Sequence, residues 1–149
     1  MPEFLEAVVD KFIFKVATDR LYTESHLWLK LDEGLVCVGL TDYLQQTAGD
    51  VAFVELNEVG AKLAVDDNLG SVETMKITLD IPTPIAGLIK KTNTRLEDEA
   101  ELINQDPYGD GWLVQLEVDN WDVAKGSLLE PNDYYDRMKA EAEAEAKNL

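Results

Sequence analysis

Residues 70–84 read GSVETMKITLDIPTP, and the rest of the chain is organised around them. Hydrophobic and polar residues alternate on both sides of Lys76, a pattern typical of two β-strands. Pro82 and Pro84 lack backbone N–H donors and therefore end the second strand. The stretch predicts a β-hairpin that turns through Met75 and Lys76 and presents one lysine at its tip.

A lysine at the tip of a hairpin suits a particular chemistry. Its long primary amine can form an amide with a carboxylic-acid cofactor, as in the lipoyl and biotinyl group carriers. The turn exposes Lys76 to a modifying enzyme, while the paired strands hold the base of its side chain in place. An ordinary solvated lysine has the same local pattern, so the flanking segments must decide between the two interpretations.

Five ordered blocks on either side of this lysine carry a resemblance to a known family. The blocks are YTESHLW at Tyr22–Trp28, VGLTDY at Val38–Tyr43, GDVAFVEL at Gly49–Leu56, SVETMK at Ser71–Lys76 and LINQDPYGDGWL at Leu102–Leu113. They resemble the motifs of the glycine cleavage system H protein family, whose members are lipoyl carriers. The resemblance implies that Lys76 bears a covalently attached lipoic acid, which acts as a swinging arm between partner enzymes.

The resemblance also implies roles for four further residues. Ser25 and Asp80 match polar residues of the surface cleft in which the family holds its loaded arm. Glu73 is expected to contribute to recognition by the lipoate ligase or lipoyl transferase that modifies Lys76. Leu27 stands where the family has a glutamate, whose carboxylate suits a cationic aminomethyl cargo through a charge-assisted hydrogen bond.

The leucine at position 27 favours a less basic cargo. With the added front strand and the acidic tail, it makes the chain similar to the H-like lipoate-binding proteins of the heterodisulfide-reductase-like sulfur oxidation system. That resemblance implies that the arm passes sulfur intermediates between oxidoreductase components, which thiol–disulfide exchange makes chemically reasonable. The alternatives are a glycine cleavage H protein, a biotin carrier, and an unmodified scaffold that binds partners through its acidic surface.

Many short strands with frequent turns predict an all-β fold with short helices. The resemblance implies a lipoyl/biotinyl-type barrel-sandwich hybrid with a C-terminal helix. Residues 19–126 are expected to form the H-protein-like lipoyl domain, preceded by an N-terminal helix and an added strand in residues 1–18. Residues 127–149 are expected to form a C-terminal acidic helix that begins at Pro131 and whose last third is solvated.

Three details of this prediction depend on local patterns. Hydrophobic residues recur at helical spacing in residues 2–12, which predicts a short amphipathic helix there. Thr41 is predicted to cap a short helix that ends at Gly49. His26 is predicted to be a packed, hydrogen-bonded strand residue rather than a general base.

Composition narrows the classes of function. The chain has 149 residues, one cysteine and a formal net charge of −17, which disfavours binding to a phosphate backbone. A single histidine excludes a His-rich zinc site, and neither a G-x-G-x-x-G motif nor a P-loop is present. No apolar run approaches the length of a membrane span, and no signal peptide is recognised. We expect a non-catalytic, monomeric carrier protein of the cytoplasm that binds neither nucleic acid nor membranes.

Overall fold

The computed structural model describes residues 3–147, and antiparallel strands dominate it. Among these residues there are three sheets, of six, three and two strands. The strands are β1 (Phe4–Val9), β2 (Phe12–Ala17), β3 (Leu21–Tyr22), β4 (Leu27–Asp32), β5 (Leu35–Leu40), β6 (Val51–Leu56), β7 (Lys62–Leu63), β8 (Asn68–Thr74), β9 (Thr78–Pro82), β10 (Gly87–Thr92) and β11 (Val114–Glu117). The helices are α1 (Asp42–Ala48), α2 (Leu102–Gln105), α3 (Trp121–Ala124) and α4 (Pro131–Lys147).

The main hydrophobic core lies between the two larger sheets. The six-stranded sheet has the order β3-β4-β5-β11-β10-β7, and the three-stranded sheet has the order β6-β8-β9. Leu29 and Leu116 enter the core from the first sheet, whereas Val72 and Ile81 enter it from the second. Burying one apolar face of each sheet is the usual basis of a β-sandwich, so the prediction of an all-β fold with short helices is confirmed.

Helix α1 begins and ends where its sequence signals predict. The Thr41 side chain accepts a hydrogen bond from the Leu44 amide at 3.2 Å, which satisfies one of the free N–H groups at the start of the helix. Gly49 follows the helix with φ 95°, a conformation that favours glycine. The capped helix leads directly into β6, which pairs with the lysine-bearing strand β8.

The predicted N-terminal helix is wrong. Residues 4–9 form β1, which pairs in antiparallel register with β2 from Phe4↔Ala17 to Val9↔Phe12. Asp10 adopts φ 56° and allows the tight turn between the strands. The hydrophobic spacing of this segment fits a helix, but Ala7 and Val9 also alternate with exposed neighbours along a strand, and strand pairing prevails. Residue 2, the first of the predicted helix, lies outside the described residues.

Helix α4 packs against the added hairpin β1–β2, and its buried residues extend from its first turn to Ala142. Tyr134, Met138 and Ala142 are buried in a second hydrophobic cluster with Phe14 and Trp28. The last third of the tail is largely solvated, as expected: Ala142 is 5% exposed, but residues 143–145 and 147 are exposed and Ala146 is half-buried. Residues 148 and 149 lie outside the described residues. Within residues 3–147, no helix has both the length and the apolar character that a membrane crossing requires.

Candidate functional site

Lys76 lies at the tip of the predicted hairpin, which the structure confirms. Strands β8 and β9 pair in antiparallel register, and Glu73↔Thr78 is the pair nearest the turn. The turn closes through a hydrogen bond from the Thr74 amide to the Ile77 carbonyl at 2.8 Å. The Thr74 hydroxyl oxygen also accepts from the amides of Lys76 and Ile77, at 3.2 and 3.0 Å. These bonds fix the backbone from which the lysine side chain leaves.

The Lys76 side chain is exposed and lies across the C-terminal end of α1. Its Nζ donates a hydrogen bond to the Thr47 carbonyl oxygen at 3.0 Å. The last carbonyls of a helix have no partner within the helix, so this amine satisfies a group that is otherwise free. A Cβ atom at Gly49 would lie 3.3 Å from Lys76 Cδ, so the glycine leaves room for the lysine stem.

Asn104 holds this part of α1 in place. Its Nδ2 donates to the Gly49 carbonyl and to Gln45 Oε1, both at 3.0 Å. Its Oδ1 accepts from the Val51 amide at 2.9 Å, so one side chain joins the end of α1 to the start of β6. We did not identify Asn104 as a site residue from the sequence, although it belongs to the quoted LINQDPYGDGWL block.

The Lys76 amine is free to be acylated. None of the acidic side chains in residues 3–147 forms an ion pair with its Nζ, whose hydrogen-bond partner is the backbone carbonyl of Thr47. An amide formed at this nitrogen would keep one N–H and could still donate to that carbonyl. The geometry therefore fits a carboxylic-acid cofactor linked through Lys76.

Glu73 and Asp80 lie on the same small sheet as Lys76. Both side chains are exposed, Glu73 on β8 and Asp80 on β9, where Asp80 pairs with Ser71. Glu73 is thus accessible to a modifying enzyme, as its predicted role requires. The roles expected of Glu73 and Asp80 stay predictions.

Leu27 does not lie on a surface beside the arm. It is 2% exposed, pairs with Leu40 of β5 and belongs to the main core. Ser25 is exposed in the preceding turn, where its hydroxyl lies 2.9 Å from that of Thr23. The structure therefore does not support Leu27 as a cleft residue that selects cargo, because the core encloses its side chain.

His26 is packed and hydrogen-bonded as predicted, but it is not a strand residue. It precedes β4 in a turn and has φ 72°. Its Nδ1 lies 2.9 Å from the Tyr134 hydroxyl, and its Nε2 contacts the Glu141 carboxylate. Both partners belong to α4, so the imidazole anchors the C-terminal helix. No local sequence pattern pairs these distant residues.

Comparison with known proteins places these features in a family. The family described as glycine cleavage H-protein matches residues 20–141. A glycine cleavage system H protein of Listeria monocytogenes serotype 4b is 47% identical over 117 residues, which cover 78% of this chain and 92% of that protein. A probable glycine cleavage system H protein of Natronomonas pharaonis is 42% identical over 121 residues, which cover 81% and 94%.

A solved structure agrees with the sequence comparison. The crystal structure of a glycine cleavage system H protein from Mycobacterium marinum superposes with a TM-score of 0.73 at 33% identity. It covers 80% of this chain and 96% of that one, which confirms the lipoyl-type barrel-sandwich fold. The matched segments contain the Lys76 hairpin, and the chain belongs to the glycine cleavage H-protein family.

Proposed function

We propose that this protein is the lipoyl carrier of a glycine cleavage system, with Lys76 as its attachment site. Members of the family carry lipoic acid covalently attached to a lysine. The observation that carries the proposal is the exposed Lys76 amine at the tip of a hydrogen-bonded hairpin. Its role is to carry an aminomethyl group between partner enzymes, so the protein is their substrate and not a catalyst.

The residues around Lys76 supply what a lipoyl carrier needs from its own chain. The bound lipoyl group supplies a dithiol/disulfide pair that accepts and releases cargo. The hairpin supplies a rigid base, and the Thr47 carbonyl sets the direction in which the side chain leaves it. Lys76 extends beyond the sheet, as a carrier that visits several active sites requires.

The comparisons favour glycine cleavage over sulfur oxidation as the setting. The relatives described above are named as glycine cleavage system H proteins, and none is named as a sulfur oxidation protein. The sulfur hypothesis rested on the added front strand, the acidic tail and a Leu27 beside the arm, whereas this leucine is buried in the main core. A core leucine changes packing and gives no reason to assign a different cargo.

The expected partners follow from this role. A lipoate ligase or lipoyl transferase would recognise the hairpin, with Glu73 exposed beside the attachment lysine. Glycine decarboxylase would load the arm and aminomethyltransferase would unload it. The net charge of −17 would steer the carrier towards basic surfaces on these enzymes. The proposed setting is the cytoplasm.

Reconstitution with defined enzymes tests the proposal. Lipoylated full-length protein is mixed with glycine decarboxylase, glycine, aminomethyltransferase and tetrahydrofolate as the one-carbon acceptor. Dihydrolipoyl dehydrogenase and NAD⁺ reoxidise the dithiol left on the arm, and glycine-dependent release of carbon dioxide is followed. We expect turnover with the wild-type protein and none with Lys76→Arg. A lipoylated protein that is neither loaded by the decarboxylase nor unloaded by the transferase would contradict glycine cleavage as the setting.

A further inference from the structure

The added hairpin β1–β2 exposes apolar side chains near its turn. Val8, Phe12 and Ile13 are 66%, 44% and 52% exposed. Val8 and Ile13 are direct partners in the strand register, and Val9↔Phe12 is the pair next to the turn. A hairpin that only covered the core beneath it would carry polar residues on its outer face. Val8, Phe12 and Ile13 form a surface that we name the apolar tip.

The apolar tip lies beside the attachment lysine. Gln46 and Thr47 are adjacent residues of α1. Gln46 Nε2 donates to the Ile13 carbonyl at 3.0 Å, and the Thr47 carbonyl accepts from Lys76 Nζ at 3.0 Å. Phe12 and Lys76 also line the same cavity. The turn of the added hairpin and the turn that bears Lys76 are therefore neighbours on the protein surface.

Hydrogen bonds to the rest of the protein hold the added hairpin in place. On β2, the Lys15 amide donates to Asp42 Oδ2 at 2.9 Å, and the Lys15 carbonyl accepts from the Tyr108 hydroxyl at 2.7 Å. On β1, the Glu6 carbonyl accepts from the Tyr135 hydroxyl at 3.1 Å. A surface fixed in this way loses little conformational entropy when a partner binds to it.

The surface around Lys76 combines exposed apolar and acidic side chains. Met75 and Ile77, which flank the lysine in sequence, are both exposed. Glu73 is exposed on β8, and the exposed Asp50 lies next to Met75, whose amide donates to the Asp50 carbonyl at 3.0 Å. A complementary partner would present an apolar patch bordered by lysine and arginine side chains.

A second copy of this chain does not fit that description. Each copy carries a net charge of −17, so two copies repel each other. The three side chains of the apolar tip also supply far less than the about 800 Å² per partner that a stable interface buries. A small apolar surface of this kind suits a transient encounter between an enzyme and its protein substrate.

The enzyme that attaches the cofactor has the strongest need for this surface. It must reach Lys76 Nζ itself, which lies 3.0 Å from the Thr47 carbonyl, whereas enzymes that use the finished arm need only its far end. An interface of about 800 Å² centred on Lys76 has a radius of about 16 Å. Such an interface includes the residues next to Gln46 and Thr47, and Ile13 is one of them.

We propose that the apolar tip of the added hairpin is a docking surface for the lipoate ligase that modifies Lys76. The proposal rests on the proposed function, because it requires Lys76 to be the lipoylated residue. The ligase activates the lipoate carboxyl as an adenylate with release of pyrophosphate, and Nζ then displaces AMP and loses a proton to form the amide. Residues 4–17 precede the family match at residues 20–141, so this docking surface lies outside the matched region.

Lipoylation kinetics of the full-length protein test the docking surface. The unmodified protein is varied in concentration with its cognate lipoate ligase, lipoic acid and ATP, and initial rates are measured by intact mass. Combining Val8→Thr with Ile13→Thr removes apolar surface but keeps β-branched side chains that suit a strand. We expect KM to rise about tenfold with kcat unchanged within about twofold, because the variant loses binding that is equal in the ground and transition states.

A matched control separates this site from apolar surface in general. Val65 and Val123 are exposed valines that line a groove beside Pro84, which follows the end of β9 distant from the Lys76 turn. Combining Val65→Thr with Val123→Thr should leave KM at the wild-type value.

Amide NMR of the wild-type protein provides a second test, which does not depend on the folding of any variant. The unmodified protein is titrated with the ligase in the absence of ATP. We expect line broadening at Val8, Phe12 and Ile13, and none at Val65 or Val123.

The outcomes distinguish this inference from the proposed function. A Lys76 that the ligase does not modify would overturn both. Lipoylation with the same KM in the tip variant and in the control would overturn the docking surface and leave the carrier function standing. Broadening of the tip by increasing protein concentration alone would indicate a second copy, and a raised KM only for loading by glycine decarboxylase would indicate a later enzyme. Either result would overturn the assignment to the ligase.

Discussion

The Nδ1 atom of His26 and the hydroxyl oxygen of Tyr134 lie 2.9 Å apart, across 108 residues of sequence. The same hydroxyl hydrogen-bonds the Thr41 side chain at 3.0 Å, and the Tyr134 ring stacks on Tyr22 with centroids 4.4 Å apart. Burial raises the pKa of the Tyr134 phenol, so this group stays neutral across the physiological range. Helix α4 is thereby joined to two of the family's sequence blocks.

Removing the Tyr134 hydroxyl should destabilise the protein. Tyr134→Phe leaves buried groups of His26 and Thr41 without their partner, and we expect a loss of about 1–3 kcal/mol in the free energy of unfolding, measured in urea. Tyr135→Phe is the control, because the Tyr135 hydroxyl donates to the Glu6 carbonyl at a more exposed position. That change should cost under about 0.5 kcal/mol. Equal stability of the two variants would contradict the buried network.

Thr74 should control how well the hairpin tip is presented for modification. Thr74→Val keeps the shape of the side chain but removes the oxygen that accepts from the amides of Lys76 and Ile77. We expect a loss of about 1 kcal/mol in stability and slower lipoylation by the ligase, measured by intact mass over time. Thr78→Val on the exposed side of β9 should be lipoylated at the wild-type rate. An unchanged rate for Thr74→Val would show that the tip needs no such restraint.

Gly39 should tolerate no side chain, because Trp28 occupies the space. A Cβ atom at residue 39 would lie 2.5 Å from Trp28 Cζ2. The indole is held in place by a bond from its Nε1 to the Pro107 carbonyl at 2.9 Å. We expect Gly39→Ala to lower the free energy of unfolding by about 1–3 kcal/mol.

Gly126→Ala is the matched control for Gly39→Ala. Nothing lies within 4 Å of a Cβ at residue 126, so the thermal midpoint of the Gly126→Ala protein should stay close to that of the wild type. A Gly39→Ala protein as stable as Gly126→Ala would contradict the packing of Trp28.

The Cys37 thiol should be inert towards alkylation in the folded protein. Burial raises its pKa from 9.0 to about 12. At pH 9 a thiol with the ordinary pKa is half ionised, whereas about one part in a thousand of Cys37 is thiolate, the reactive form. Iodoacetamide at pH 9 should therefore label Cys37 slowly in buffer and rapidly in urea. Equal labelling rates would contradict the raised pKa.

The raised pKa of Cys37 also gives a direction for the pH dependence of stability. The folded state holds the thiol proton more tightly than the unfolded state, so this contribution is fully present below pH 9 and is lost as the pH rises towards 12. Because Cys37 reacts slowly, it should not compete with the lipoyl dithiol in thiol–disulfide exchange. Unfolding in urea from pH 8 to pH 11 should show the decline.

The sequence alone predicted the local structure correctly wherever a pattern had one structural interpretation. The alternation around Lys76 and its two prolines gave the hairpin, and the spacing from Thr41 to Gly49 gave α1 with its caps. These signals depend on backbone chemistry within a few residues. The comparisons confirmed the family that the five sequence blocks indicated.

The errors arose where one pattern has two structural solutions. Residues 4–9 fit a helix by spacing and a strand by alternation, and pairing with β2 decided between them. Leu27 was assigned to a cleft from its motif position, where the family has a glutamate, yet Leu27, Trp28 and Leu29 are all buried. A strand covered on both faces has no alternation that identifies the solvent side. The His26 contacts with α4 depend on tertiary packing that no local pattern encodes.

The most direct test of the carrier function is the intact mass of the natively expressed full-length protein, with peptide mapping of Lys76. A lipoyl adduct on Lys76 is expected in the wild type. None is expected in Lys76→Arg, which should keep its fold because an exposed turn charge usually changes stability by under about 0.5 kcal/mol. No adduct, biotin on Lys76, or an unchanged lipoyl mass shift in Lys76→Arg would contradict the assignment.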